Sequence, residues 1–259
     1  MKLEGQVAIV TGGGTGVGRA TSLQLAAEGC AVLVNYSRSE AEAAETVQAI
    51  KQAGGRALPC KADVAENSQV RTMVDAATGE FGRLDLLVNN AGTTEFIPFN
   101  DLDEANAEVW ERIFRVNVTG AFQVSRAAAR AIESTSGKGH IVNVSSIAGL
   151  NATGSSIPYA ASKAALNNMT VALARTLAPA IRVNAVAPGF ITGRWLQSGL
   201  GANYDATRDA FNAKLPLGRV CDPEDVADAI LSLLTGSELV TGQILPCDSG
   251  MSTMAPVTI

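Results

Sequence analysis

A single histidine and four scattered cysteines leave this chain without the side chains of a zinc site. Cys30, Cys60, Cys221 and Cys247 stand nowhere at metal-ligand or redox-motif spacing, so they read as reduced thiols and no metal is expected. Positive charge is also short. The 20 Lys plus Arg against 25 Asp plus Glu, a net charge of -5, speak against a nucleic-acid surface and for small-molecule chemistry. No apolar run reaches the ~18 residues of a membrane span. The amino-terminal MKLEGQVAIVTGGG passes from one lysine into a short apolar strand and glycines, which is not a signal-peptide layout, so a cytoplasmic protein is expected. Repeats, linkers and low-complexity segments are absent as well. The 259 residues are therefore expected to form one domain, long enough to bury ~70–75% of the surface of the unfolded chain.

What the chain does have is apolar character, 47% hydrophobic against 17% charged residues, which suits a parallel sheet buried on both faces, an oligomer, or both. Short apolar runs at residues 6–11, 31–35, 56–61, 84–89, 140–144, 181–186 and 243–247 alternate with stretches of helical spacing. That alternation predicts an α/β fold with a parallel sheet and right-handed crossovers. Residues 101–131 read as one long helix or two, and 223–234 (PEDVADAILSLL) as a scaffold helix opened by proline and acids. Residues 190–215 are the least regular. Trp195, Leu196, Leu200, Tyr204 and Phe211 sit there among glycines, as a substrate lid or as surface packing on the core.

The first run ends in a glycine turn, Gly12-Gly13-Gly14-Thr15-Gly16-Val17-Gly18, followed by a helix. Glycines allow the backbone to approach a diphosphate, and the helix amino end supplies exposed N–H donors, so the turn reads as a dinucleotide cradle. Tyr36, Ser37 and Arg38 follow the second run, where the adenosine ribose is expected. An acid there suits the free 2′-hydroxyl of NAD(H), whereas donors and a cation suit a 2′-phosphate; NADP(H) is the expectation. Glu40 and Glu42, next along, suit a helix start. Asp63 with Val64 is either an adenine contact or a turn. Asn90, Ala91 and Gly92 close the fourth run, and Pro188 and Gly189 the sixth, both beside the same crevice.

Ser145 and Ser146 follow the fifth run, and Tyr159 and Lys163 lie four apart in an Ala-rich helical stretch, so their side chains share a face. A free tyrosine has a pKa of about 10, and a nearby ammonium favours its phenolate, which makes Tyr159 a candidate general acid/base. A serine hydroxyl can donate to a carbonyl oxygen as hydride reaches its carbon. The set fits the interconversion of ketone and alcohol. Asn117 lies on an otherwise apolar-periodic segment, where an amide ordinarily has structural partners.

Taken together, TGGGTGVG at 11–18, NNAG at 89–92, Asn117, the serine pair ahead of YAASK, and Pro188-Gly189 resemble the classical short-chain dehydrogenase/reductase family along essentially the whole chain. The resemblance is greatest to 3-oxoacyl-acyl-carrier-protein reductase-like members. It implies a doubly wound Rossmann sheet of seven strands, a homotetramer, and a tetrad of Asn117, Ser146, Tyr159 and Lys163. Ser146 is preferred to Ser145 because the family serine lies thirteen residues before the tyrosine. It further implies that Tyr159 moves the substrate proton and Ser146 holds the carbonyl. Lys163 binds the nicotinamide ribose and lowers the tyrosine pKa, Asn117 positions a relay water, and Ile191 and Thr192 join the cofactor contacts. Two departures stand out: Gly193 occupies the position of the family's carboxamide-binding threonine, and Gly137 and Ala180 stand where carrier-protein reductases are often basic. NAD-linked alcohol oxidation and a cofactor-binding regulator without chemistry are the alternatives.

Overall fold

Runs rich in Val, Ile and Leu, bounded by turn residues, form strands that are apolar on both faces. The computed structural model describes residues 3–254. Its strands are β1 Val7–Val10, β2 Ala31–Tyr36, β3 Arg56–Lys61, β4 Leu86–Asn89, β5 Gly139–Val144, β6 Ile181–Pro188 and β7 Ile244–Cys247. All pair in parallel, in the order β3-β2-β1-β4-β5-β6-β7. The chain winds outward from β1 to β3, returns to β4 beside β1, and winds the other way. This is a doubly wound, Rossmann-type α/β fold, and the reversal leaves a crevice outside the carboxyl ends of β1 and β4.

The helices are α1 Gly16–Ala27, α2 Glu40–Gln52, α3 Asn67–Phe81, α4 Ala107–Phe114, α5 Ala121–Thr135, α6 Ala148–Asn151, α7 Ile157–Leu177, α8 Arg194–Leu200, α9 Tyr204–Asn212 and α10 Pro223–Thr235. Strand side chains alternate between two cores. Ala8, Val10, Val32, Val34 and Val88 meet Leu25 of α1, Val47 and Ile50 of α2, and Val226 and Ile230 of α10. Ile9, Leu33, Leu87, Ile141 and Val183 meet Met73 of α3, Val124 and Ile132 of α5, and Ala174 of α7. Each fully buried aliphatic side chain contributes about 1.5–3 kcal/mol, so two such layers dominate the stability.

Two segments refine the sequence reading. α4 continues through a π-helical turn, Arg115–Gly120, into α5, so 101–131 holds two helices joined without a break. Residues 190–215 are largely helical rather than loop: α8, a 3-10 turn at Gly201–Asn203, then α9. Their periodicity is invisible because they bury almost nothing, no residue in α8 and only Tyr204 in α9. Among the described residues no helix is long and apolar enough to cross a membrane.

At the amino end of the sheet, Asp85 accepts from Val7 N at 2.9 Å and from Arg83 Nε at 2.8 Å, and its carbonyl accepts from His140 N at 2.9 Å. Burial, aided by the charge of Arg182, pushes the His140 imidazole down to about 4. The unfolded chain, with an ordinary histidine pKa near 6.5, then binds the extra proton first, so this contribution is complete above that value and is lost as pH falls toward 4. His140 is the chain's single histidine, which makes the effect separable. Denaturant titrations at pH 7 and 5 should show a loss of about 2 kcal/mol from this group, and His140→Gln should remove that part of the slope. Parallel pH profiles for the two proteins would count against it.

Candidate active site

The glycine turn is shaped by crowding. A Cβ on Gly18 would lie 2.1 Å from Gly12 O and 2.5 Å from Asn90 Nδ2, and one on Gly14 would lie 2.8 Å from the Ala43 backbone. Gly16 is the opposite case: its φ is +49° and its Cβ position opens onto free space. Thr15 precedes α1 without a side-chain capping bond, so the first N–H groups of α1 lack a side-chain acceptor. Free donors, a helix amino end and an open glycine fit a diphosphate at Gly12, Gly14, Thr15, Gly16, Val17 and Gly18.

Asparagines pin this floor. Asn35 Oδ1 accepts from Gly12 N (3.2 Å), and its Nδ2 donates to Ala62 O (2.9 Å). Asn90 Nδ2 donates to Thr11 O (2.9 Å) and Gly12 O (3.1 Å), and Thr11 Oγ1 accepts from Asn90 N (2.9 Å) and Ala91 N (3.0 Å). Asn89 Nδ2 donates to Asn143 Oδ1 (2.9 Å), and Asn143 Nδ2 to Thr170 Oγ1 (2.9 Å). Sequence reasoning passed over Asn35, Asn89, Asn143 and Thr11. The available signal was an asparagine at or next to the end of three apolar runs, VLVN, LLVN and HIVN.

Beyond β2, Tyr36 is half-buried with Glu40 nearby, while Ser37 and Arg38 are exposed. Arg38 makes no ion pair among the described residues. Asp63 forms a turn, accepting from Ala65 N at 2.9 Å, and the Val64 side chain is buried against Gly120. Across the crevice, Pro188 ends β6, and its carbonyl accepts from Ile147 N at 3.0 Å. A Gly189 Cβ would sit 2.9 Å from that of Asp248, and Ile191 bridges to Cys221. Thr192 Oγ1 donates to Asp222, while Gly193 N donates to the Tyr204 hydroxyl at 3.4 Å.

The two serines separate cleanly. Ser145 is buried and donates to Asn167 Oδ1 (2.5 Å) and Lys163 O (3.3 Å), a structural role. Ser146 is half-buried, accepts from Ala148 N (3.1 Å), and lies near enough to the Tyr159 phenol to influence its proton. Ser156 caps α7, accepting from Tyr159 N at 3.4 Å, which sets Tyr159 in its first turn. Lys163 Nζ donates to Val144 O at 2.8 Å and stands 5.7 Å from the Tyr159 ring centroid. Asn117, in the π turn, is fully committed: Oδ1 accepts from Thr93 N (2.8 Å), and Nδ2 donates to Thr93 O and Ser162 Oγ (3.0 Å each). A Gly92 Cβ would meet Asn117 Oδ1 at 3.5 Å and Lys163 Nζ at 3.8 Å, so Gly92 lets these two groups face one space.

Burial pushes the Tyr159 phenol up to about 12, with Ser146 pulling the other way. Burial also pushes Lys163 down to about 8. This corrects the expectation that the ammonium lowers the tyrosine pKa. Desolvation outweighs attraction here, and the amine is engaged by the Val144 carbonyl. Trp195 of α8 lies 6.3 Å from the Tyr159 ring, Thr94 and Ser155 share a hydrogen bond of 2.6 Å, and Phe96 fills the side-chain space of Gly199. Residues 93–96, 150–157 and 190–211 thus meet around the phenol.

The family model for short chain dehydrogenase matches residues 6–199. The chain is a short-chain dehydrogenase/reductase. Over 247 residues, 95% of this chain and 96% of the relative, it is 44% identical to a protein named as ketoacyl reductase 2 of the granaticin polyketide synthase of Streptomyces violaceoruber. It is 41% identical, over 95% of this chain and 96% of the other, to cis-4-hydroxycyclohexanecarboxylate dehydrogenase of Sinomonas cyclohexanicum. A crystal structure of a short-chain dehydrogenase/reductase from Burkholderia xenovorans superposes with a TM-score of 0.89 at 35% identity, covering 96% of this chain and 98% of that one. As a family member, the chain is an oxidoreductase that interconverts ketones and alcohols with a nicotinamide cofactor, NAD or NADP. Gly18→Ala should collapse the contact between the glycine turn and Asn90. We expect a loss of about 1–3 kcal/mol in stability together with a weaker dinucleotide complex, read by thermal melting and calorimetric titration. Unchanged binding would disprove the close-approach explanation.

Proposed function

We propose that this enzyme is an NADP(H)-dependent ketone reductase in which Asn117, Ser146, Tyr159 and Lys163 form the catalytic set. The reading is carried by the Lys163 amine over the Tyr159 ring, with Ser146 near enough to the phenol to lower its pKa. The chemistry the cofactor supplies here is hydride transfer to a carbonyl carbon. The Ser146 hydroxyl orients the carbonyl oxygen and stabilises charge developing on it. Tyr159 then gives that oxygen its proton. A phenol held near 12 keeps its proton at neutral pH, the form that can donate to the carbonyl oxygen. Lys163, near 8, is largely protonated at pH 7 and can resupply the phenol. With its side-chain amide committed, Asn117 acts through the main chain: the wide π turn releases carbonyls from α-helical pairing, and one of them holds a relay water.

The cofactor would be held by Gly12, Gly14, Thr15, Gly16, Val17 and Gly18 at the diphosphate and by Tyr36, Ser37 and Arg38 at the 2′-phosphate. Asp63 and Val64 would hold the adenine, and Asn90, Ala91, Gly92, Pro188, Gly189, Ile191 and Thr192, with Tyr159 and Lys163, the nicotinamide half. Exposed Ser37 and unpaired Arg38, with no acid closing β2, support NADP over NAD. The relative named as a ketoacyl reductase makes a 3-oxoacyl thioester the first substrate to test. The whole chain acts as one catalytic domain in the cytoplasm, with residues 190–215 covering the substrate. It assembles as a homotetramer; Leu245, 37% exposed on edge strand β7, is an apolar side chain that a partner subunit would cover.

With acetoacetyl-CoA, NADPH should be oxidised much faster than NADH; a preference for NADH would reverse the cofactor assignment. Tyr159→Phe should lower turnover by at least about a hundredfold while NADPH still binds. The serines should separate by readout. Ser146→Ala is expected to lose activity at near-native stability. Ser145→Ala should lose stability by about 1–3 kcal/mol, because it strips the Asn167 amide of its buried donor.

A further inference from the structure

Helix α8 lies between two glycines with left-handed backbone, Gly193 at φ +128° and Gly201 at φ +52°. Its contacts reach both halves of the crevice. Trp195 packs on Tyr159 and Gly199 on Phe96, at the substrate side. Arg194, its first residue, reaches the opposite side: Nη1 pairs with Glu42 Oε1 at 2.6 Å and Nη2 donates to Ser39 Oγ at 3.0 Å. These partners stand 152 and 155 residues away in sequence, directly after Ser37 and Arg38. One guanidinium therefore ties the helix over the catalytic tyrosine to the junction of β2 and α2.

We propose that Arg194 is a specificity-determining residue for the phosphorylated cofactor: it is a further cation at the 2′-phosphate position and fastens α8 across the crevice. This rests on the NADP reading given above. The charges around the junction are Arg38, Lys61 (in register with Tyr36) and Arg194 against Glu40 and Glu42. Arg194 adds a positive charge at this junction for a phosphate dianion to meet. With it, Glu42 is neutralised, and the guanidinium's remaining donors lie beside Ser39. The pair is solvent-exposed, 62% and 37%, so it adds little to global stability. Its consequence is local, in that phosphate recognition at one end of the groove and the seating of Trp195 at the other share one side chain.

The test compares wild type with Arg194→Ala and Glu42→Gln by titrating NADPH and NADH in the absence of substrate. Arg194→Ala should raise the NADPH dissociation constant about tenfold and the NADH constant less than about twofold. Glu42→Gln, which removes an acid from the phosphate site, should leave NADPH affinity unchanged or tighter. A second readout needs no cofactor. In a Trp110→Phe background Trp195 is the single tryptophan, and both variants should shift its emission to the red and make it easier to quench with acrylamide. Equal losses for the two cofactors, no loss at all, or NADPH weakened equally by both variants would overturn the specificity role. An unmoved Trp195 signal would overturn the fastening. Wild type binding NADH more tightly than NADPH would instead overturn the NADP reading itself, a failure visible before any variant is made.

Discussion

Where parallel strands stop, their last N–H and C=O groups lose ladder partners, and a buried group left in that state costs about 1–3 kcal/mol. The seven strands of this sheet are parallel and end on the same side, where the crevice lies, so the cost would fall on the part of the molecule that must stay open to ligands. Asparagine side chains, which carry a donor and an acceptor together, answer it. Asn35 ties the glycine turn to the segment after β3, Asn90 ties the same turn to the end of β4, and Asn89 and Asn143 continue the network to α7. The floor of the site is thus held by side-chain hydrogen bonds just where the backbone can no longer hold itself. Networks of this kind are rigid when complete, which suits a surface against which atoms must be positioned.

Above that floor, burial does most of the electrostatic work. The same desolvation raises the affinity of the Tyr159 phenol for its proton and lowers that of the Lys163 amine, because the charged form is disfavoured in both. The two groups, nearly equal in proton affinity when free, are therefore driven apart, to a phenol near 12 and an amine near 8. Neighbouring serines meet different fates for an equally simple reason. Ser145 still follows the inward face of β5 and is absorbed by Asn167, whereas Ser146, one residue later, turns toward the phenol.

Much of this was legible without coordinates. Strand ends were expected to within two residues because apolar runs bounded by turn formers are a local signal, and Arg56–Lys61 was expected as found. The pairing of Tyr159 with Lys163 follows from helical spacing alone. Less legible were α8 and α9, which between them bury only Tyr204. Also hidden was the sign of the tyrosine shift, which depends on how much solvent the surrounding chain removes. Asp63 looked equally like a turn residue and a ligand contact, and its hydrogen bond to Ala65 N supplies the turn.

By itself, then, the amino-acid order determined the seven strands, the glycine cradle, the helix bearing tyrosine and lysine, and the family, since each rests on neighbours within a few residues or on motifs in fixed order. Tertiary structure alone decided that Ser145 is taken up by Asn167, how the asparagines close the strand ends, which way burial moves two pKa values, and that Arg194 meets Glu42 across 152 residues of chain. Those outcomes depend on contacts between distant segments and on the water excluded between them, and neither is encoded in any local window.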